Sequence, residues 1–147
     1  MPTSGRSLPA PPAALFAYGT LRFPDVLVAL LGRVPGHTPA VAPGWRVAAL
    51  DGRVYPMLVP GEGAAGGVLI SGLTAGEWGV IDAYEDDFYA LERLTLADGR
   101  TGLADGRTGW AYLTRDHTAV LPADWSPGDF TARHLPAFVG RLRGAYG

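Results

Sequence analysis

Residues 81–85, Ile-Asp-Ala-Tyr-Glu, contain a carboxylate that is well placed for proton transfer. Thr74 and Glu77 have the spacing of a capping box, which predicts that a helix begins after Thr74. At 100° per residue, Glu85 returns to the stripe marked by Trp78 and Ile81, so its side chain is expected to point inward. Asp82 lies at the edge of this stripe and is expected to serve as a helix cap or as an orienting partner. A partly buried carboxylate suits acid–base chemistry, whereas an arginine ion pair or an exposed helix end would leave it structural.

A second segment, Ala17-Tyr18-Gly19-Thr20-Leu21, could face that acid. The apolar run at 13–18 predicts a buried strand, Gly19-Thr20 predicts a turn, and Pro24 predicts the start of a short helix. Gly19 can take a positive φ, and main-chain N–H groups in such a turn can point at a carboxylate or phosphate. The alternative is that Gly19 only permits a tight turn.

Together these segments resemble the gamma-glutamylcyclotransferase-like superfamily, specifically its AIG2-like branch. Tyr18-Gly19-Thr20-Leu21 is similar to the family's Tyr-Gly-Thr-Leu loop, and residues 81–89 are similar to its Leu-Asp-x-Phe/Tyr-Glu-Gly-x-x-Tyr motif. Tyr55-Pro56 and the glycine-rich strand at 66–69 lie between them in the expected order. The resemblance covers residues 14–115, and Thr20, where serine is the alternative, favours this branch over the glutathione-specific one.

The chain departs from the family pattern at two positions. Asp86 stands where the family has glycine after its glutamate, and Leu91 stands where arginine often follows the tyrosine, with Arg93 coming later. Both departures bear on the substrate class, and neither touches Glu85.

The resemblance implies a cofactor-independent cyclotransferase that converts a gamma-glutamyl amine or peptide to 5-oxoproline and a free amine. Glu85 would be the catalytic base and acid, the amides of Gly19, Thr20 and Leu21 would bind the substrate carboxylate, and Tyr18 and Tyr89 would wall the pocket. Two alternatives stay open: a non-catalytic domain that binds a small carboxylate, and a protein-binding domain that uses its C-terminal helix and a duplicated loop.

Composition excludes several other chemistries. The chain has no cysteine and no lysine, which excludes disulfides, thiol nucleophiles and a Schiff base. The histidines, His37, His117 and His134, are far apart and predict no metal site. A net charge of −2 with scattered arginines predicts no nucleic-acid partner, and the absence of a long apolar run or signal-like start predicts no membrane segment and a cytoplasmic location.

The 147 residues, 48% of them apolar, predict one domain at 13–147 after a flexible N-terminal leader at 1–12. Helices are predicted after Pro24, after Thr74 and after Ser126-Pro127. Short apolar runs between turn signals predict strands at Trp45 to Leu50, Val54 to Val59, Val68 to Leu73, Leu91 to Leu96 and Trp110 to Thr114. The expected fold is α+β, a small mixed, partly closed β-barrel with a few packed helices.

The segment Leu-Ala-Asp-Gly-Arg-Thr-Gly occurs twice in tandem, at 96–102 and 103–109. Two short copies do not make a solenoid, so they are interpreted as a duplication that lengthens a hairpin. Each copy has an Asp-Gly turn signal, and either copy could form the tip. A longer hairpin could also overhang a pocket as a lid.

Overall fold

The computed structural model describes residues 8–9, 13–85, 89–98, 104–113 and 117–146. Most of the predicted leader at 1–12, Asp86, and the segment 99–103 between the last long strands lie outside the described residues. Within the described ranges, no helix is both long enough and apolar enough to cross a membrane.

Six strands and four helices follow one another in the described parts of the chain. The strands are β1 (Leu15–Ala17), β2 (His37–Leu50), β3 (Met57–Ile70), β4 (Ala90–Asp98), β5 (Ala104–Leu113) and β6 (Val120–Asp124). The helices are α1 (Pro24–Leu31), α2 (Ala75–Tyr84), α3 (Pro127–Arg133) and α4 (Leu135–Tyr146). A 3₁₀ turn at Thr20–Arg22 connects β1 to α1.

Five of the strands close into a ring. The hydrogen-bonded order is β3-β1-β5-β4-β2, and β2 pairs back with β3, while β6 adds to the other side of β2. The β1–β5 pairing, with Leu15 opposite Trp110, is parallel, and the remaining pairings are antiparallel. The predicted α+β fold, with a small mixed β-barrel and packed helices, is confirmed, and the ring closes through the β2–β3 hairpin.

The ring separates two apolar cores. One core contains Leu15 and Ala17 of β1 together with the buried residues of every helix, such as Ile81 and Phe130. The other contains Phe16 of β1 and no helical residue. Because successive strand residues point to opposite faces, the second core fills the barrel and the first lies under the helices.

The observed helix starts agree with the positions predicted from the sequence better than the observed strand bounds do. Helix α2 has the predicted capping box, because Thr74 Oγ1 accepts from the Glu77 amide and Glu77 Oε1 accepts from the Thr74 amide, both at 3.1 Å. The single helix expected after Ser126-Pro127 is two helices, since α3 ends at Arg133, with His134 as its C-cap, and α4 begins at Leu135.

The duplicated segment spans the β4–β5 hairpin. The second Asp-Gly pair, at 105–106, lies within β5 and therefore is not the hairpin tip, whereas Gly99 of the first pair lies outside the described residues. Ala97 of the first copy pairs with Val41 of β2, which helps to close the ring. The first copy therefore contributes to the barrel wall.

Candidate active site

The turn after β1 forms one wall of the site. β1 ends at Ala17, and Gly19 precedes the 3₁₀ turn with φ −115° and ψ −131°. The positive φ considered for this glycine is therefore wrong. Its lack of a side chain matters for another reason, since a Cβ here would lie 3.0 Å from Pro56 Cγ and 3.1 Å from Pro56 Cδ. Gly19 allows the segment Tyr55-Pro56 to pack directly on the turn.

The main-chain donors of this turn are only partly used. Arg22 N–H donates to Gly19 O at 3.1 Å, and Phe23 N–H donates to Thr20 O at 3.3 Å. Within the described part of the chain, the amides of Gly19, Thr20 and Leu21 make no hydrogen bond to another residue. Thr20 and Leu21 are nevertheless buried. Unused amides on consecutive residues of a tight turn form a concave donor surface that suits an anion.

The acid comes from the opposite side. Helix α2 ends at Tyr84, and Glu85 is its C-cap, with φ −78° and ψ 144° and its amide bonded to Ile81 O at 3.1 Å. The expectation that Glu85 continues the helical stripe of Trp78 is therefore wrong, because the backbone turns to an extended conformation at this residue. The Glu85 side chain is half-buried and faces a cavity that it shares with the turn.

That cavity has a volume of about 310 Å³, the lower end of the range for small-molecule sites. All six residues that the sequence analysis selected line it, namely Tyr18, Gly19, Thr20, Leu21, Glu85 and Tyr89. Their roles in binding and catalysis stay predictions. The remaining lining residues are Leu15, Phe16, Ala17, Tyr55, Pro56, Tyr84, Tyr112 and Phe138.

Five of the six tyrosines of the chain line this cavity, and several are linked by hydrogen bonds. The Tyr18 hydroxyl donates to the main-chain carbonyl of Tyr112, and the Tyr112 hydroxyl donates to Asp82 Oδ1 at 3.0 Å. Thr20 Oγ1 and the Tyr84 hydroxyl are 2.7 Å apart. These bonds connect the turn, β5 and α2 around one hollow.

Tyr18 stays protonated in this setting. Burial raises the pKa of its phenol well above its ordinary value, and nearby Tyr89 and Glu85 raise it further. The hydroxyl is therefore a neutral hydrogen-bond donor and not a base at physiological pH.

Four residues beyond the six selected from the sequence contribute to the site. Asp82, which its place four residues after Trp78 indicated as a cap or an orienting partner, is buried and accepts a hydrogen bond from the Tyr112 hydroxyl. Tyr112 and Phe138 come from β5 and α4, far from both motifs, and no local pattern marks them. In the sequence, Tyr84 was marked only by its place in the motif at residues 81–89.

The sequence leaves an arginine ion pair of Glu85 open, with Arg22 and Arg93 as the candidates, and neither arginine is among the residues that line the cavity. Arg93 is exposed on β4, and Arg22 lines a separate groove near Arg46 and Asp124. Half-burial lowers the pKa of the Arg22 guanidinium. Ion pairs recorded among the described residues join Arg33 to Glu77 and Arg46 to Asp124.

No metal cluster is found among the histidine, aspartate and glutamate side chains of the described ranges. His37 Nδ1 lies 3.1 Å from Pro35 O, His117 is exposed, and His134 ends α3. The three imidazoles therefore lie in separate parts of the structure. The site offers a carboxylate, phenols and main-chain amides, which can bind a small anion and move protons.

Comparison with known proteins agrees with this arrangement. Residues 15–131 match the family described as "Gamma-glutamyl cyclotransferase, AIG2-like". AIG2-like protein C of Arabidopsis thaliana is 43% identical over 76 residues, which are 51% of this chain and 44% of that protein. AIG2-like protein A of the same plant is 39% identical over 83 residues, 56% of this chain and 49% of that protein. The chain thus spans about half the length of these curated relatives.

Solved structures share the fold over nearly the whole chain. The solution structure of an Arabidopsis thaliana protein superposes with a TM-score of 0.66 and 25% identity, covering 90% of this chain and 89% of that one. A structure titled "Gamma-glutamyl cyclotransferase" gives a TM-score of 0.60 at 14% identity, covering 89% and 86% of the two chains. With the family match extending from β1 into α3, the chain belongs to the AIG2-like gamma-glutamyl cyclotransferase family.

Proposed function

We propose that this protein cyclises gamma-glutamyl amides, releasing 5-oxoproline and a free amine. One observation carries the proposal: Glu85 and the turn of Gly19, Thr20 and Leu21 line the same cavity. Family membership and the fold likeness to a structure titled as a gamma-glutamyl cyclotransferase support it. A cytoplasmic location stays part of the proposal.

The substrate supplies its own nucleophile. In a gamma-glutamyl amide, the α-amine can reach the γ-carbonyl carbon and close a five-membered lactam. Holding the chain folded makes the attack intramolecular, and well-oriented reactions of this kind reach effective molarities of roughly 10⁵–10⁸ M. The protein must therefore fold the substrate and handle its protons.

The turn would fold the substrate. The amides of Gly19, Thr20 and Leu21, which bond to no other described residue, would bind the α-carboxylate. The neutral phenol of Tyr18 and the ring of Tyr89 would close the wall beside Glu85. A neutral hydroxyl near the γ-carbonyl can also stabilise the developing oxyanion.

Glu85 would move the protons. Its carboxylate takes a proton from the α-ammonium, and the freed amine attacks the γ-carbonyl carbon to give a tetrahedral oxyanion. The oxyanion then collapses, the bond to the leaving nitrogen breaks, and that nitrogen takes the proton back from Glu85. The ring nitrogen still carries two protons and gives one to Glu85, which passes it to the released amine, so the products are a neutral lactam and an ammonium ion. Acid, base and charge balance without a co-reactant.

The test measures 5-oxoproline released from a panel of gamma-glutamyl amides. Glu85→Gln should lower kcat by about 10²–10⁴-fold, because general acid–base catalysis contributes that much, with a far smaller change in KM. Glu77→Gln is the matched control, since Glu77 lies on the same helix but outside the cavity lining and should leave kcat unchanged.

Two results would count against the proposal. Undiminished kcat in Glu85→Gln would remove Glu85 from the mechanism. A wild-type protein that binds glutamate or 5-oxoproline by calorimetry but produces no 5-oxoproline from any amide would instead be the carboxylate-binding domain considered above.

A further inference from the structure

Helix α4 adds a wall to the cavity from outside the matched family segment. The family match ends at residue 131, whereas α4 covers Leu135–Tyr146. Leu135, Val139 and Leu142 are buried and dock α4 on the core under the helices. Phe138 is half-buried and lines the cavity. Helix α4 therefore packs on the core through three buried residues and contributes a different residue, Phe138, to the cavity.

The Phe138 ring is held on several sides. It meets the ring of Tyr84 edge to face, with centroids 6.4 Å apart and an interplanar angle of 86°. The Phe130 ring lies 5.5 Å away at 73°, and the Arg141 guanidinium carbon lies 5.6 Å from the Phe138 centroid. Such contacts fix the orientation of an aromatic ring before a ligand arrives. Phe138 is thus a preorganised apolar surface.

Exposure separates the floor of the cavity from its mouth. Leu15, Phe16 and Ala17 of β1 are at most 3% exposed and form the floor. The partly exposed rings on the lining belong to Tyr55, Tyr84 and Phe138, which come from three different elements. Together with Gly19 and Glu85, which are also partly exposed, these rings form the mouth, and three of its five residues are aromatic.

The proposed reaction would place part of the substrate at this mouth. Thr20 and Leu21 of the turn are buried, whereas Glu85, which the proposed mechanism places beside the leaving nitrogen, is partly exposed. A glutamyl group bound at the turn would therefore have its amide nitrogen toward the mouth. The group attached to that nitrogen then lies among the rings at the mouth. Ring surfaces of this kind bind aromatic and branched aliphatic groups through apolar contact.

Resting on the proposed function, we infer that Phe138 is a specificity-determining residue. It selects gamma-glutamyl amides whose leaving amine carries an aromatic or branched aliphatic group. Because Phe138 lies on α4, this selectivity is set by a helix that the family match does not include.

The experiment compares gamma-glutamyl benzylamide with gamma-glutamyl methylamide. Both bind as the same glutamyl group and differ only in what reaches the mouth. Calorimetry on the Glu85→Gln protein measures binding without turnover, and Phe138→Ala is then added to that background. Phe138→Ala should weaken benzylamide binding about tenfold, the scale of a lost apolar contact in a pocket, and leave methylamide binding within about threefold.

Two further variants distinguish the loss of the Phe138 contact from a general disturbance of the fold. Phe138→Leu keeps apolar bulk and should give a smaller loss for the benzylamide. Val139→Ala loosens the docking of α4 without removing a lining residue, so it should leave the ratio of the two affinities unchanged. Equal loss for both ligands in Phe138→Ala, a changed ratio in Val139→Ala, or no measurable benzylamide binding would overturn the inference.

Turnover keeps this inference distinct from the proposed function. If wild-type protein prefers the benzylamide in binding but forms no 5-oxoproline, only the proposed function fails. If both amides are cyclised and Phe138→Ala leaves their relative kcat/KM unchanged, only the role of Phe138 fails.

Discussion

The Tyr112 hydroxyl donates a hydrogen bond to Asp82 Oδ1 at 3.0 Å, and both residues are buried. The bond joins α2, which leads directly to Glu85, to β5, whose Tyr112 lines the cavity. Tyr112 also accepts from the Tyr18 hydroxyl through its main-chain carbonyl. Asp82 thus helps to position two walls of the site without lining the cavity itself.

Removing this hydrogen bond should destabilise the fold. Tyr112→Phe takes a donor away from a buried carboxylate, which costs about 1–3 kcal/mol of the free energy of unfolding. Urea denaturation measures this directly. Asp82→Asn keeps an acceptor oxygen at the same position and should lose less than Asp82→Ala.

A double-mutant cycle identifies the source of the loss. If the two side chains act through their mutual bond, the losses of Tyr112→Phe and Asp82→Ala should not add in the double variant, with a coupling of at least about 0.5 kcal/mol. Strictly additive losses would mean that the two residues stabilise the protein independently.

The sequence predicted the start of α2 correctly and its end less well. Its start depends on local hydrogen bonds between Thr74 and Glu77, which neighbouring residues are enough to specify. Its end at Tyr84, where the backbone of Glu85 becomes extended, depends on where β4 lies relative to α2, which no local pattern encodes. Glu85 was therefore assigned to the cavity for a helical reason that is wrong, although the motif that includes it was correctly recognised.

The second prediction concerns the contact between Gly19 and Pro56. A Cβ at position 19 would lie 3.0 Å from Pro56 Cγ, so Gly19→Ala must displace either the turn or the segment that carries Tyr55. Overpacking of this kind costs about 1–3 kcal/mol. Because the turn lines the cavity, kcat/KM for a gamma-glutamyl amide should also fall, which steady-state assays of 5-oxoproline release can measure.

Gly79→Ala is the control for this substitution. Gly79 lies within α2, and a Cβ there would meet no atom within 4 Å. Alanine in an open helical position should stabilise the protein by about 0.5–1 kcal/mol and leave kcat/KM unchanged. Equal effects of the two substitutions would show that the contact with Pro56 is unimportant.

Strand β3 shows why the sheet was harder to predict than the helices. The glycines between residues 61 and 67 looked like a turn, so one strand was predicted as two. In the structure, a Cβ at Gly67 would lie 2.5 Å from Ala17 O, so glycine permits close packing of β3 on β1. Prolines 39 and 43 likewise concealed the first half of β2. The bounds of these strands therefore depend on packing partners that are distant in the sequence. The cavity residues near the two motifs could be predicted because each motif is local.

The third prediction concerns pH and the ion pair that supports the start of α2. Arg33 Nε and Nη2 donate to the two carboxylate oxygens of Glu77 at 2.7 and 2.6 Å. This guanidinium, followed by the capping bonds with Thr74, lowers the pKa of Glu77. The Arg33 side chain is 47% exposed, so solvent screens the pair and its contribution to the free energy of unfolding should be small.

The sign of the effect follows from proton linkage. A carboxyl whose pKa is lower in the folded state stabilises the fold fully above its unfolded pKa of about 4.3, and this stabilisation is lost as the pH falls through the folded value. Wild type should therefore exceed Glu77→Gln in unfolding free energy at neutral pH. The difference should shrink near pH 3, as measured by urea denaturation at both pH values. Arg33→Gln should lose the same amount at neutral pH. No difference between wild type and Glu77→Gln at either pH would assign the stabilisation to the capping bonds, since glutamine can keep those.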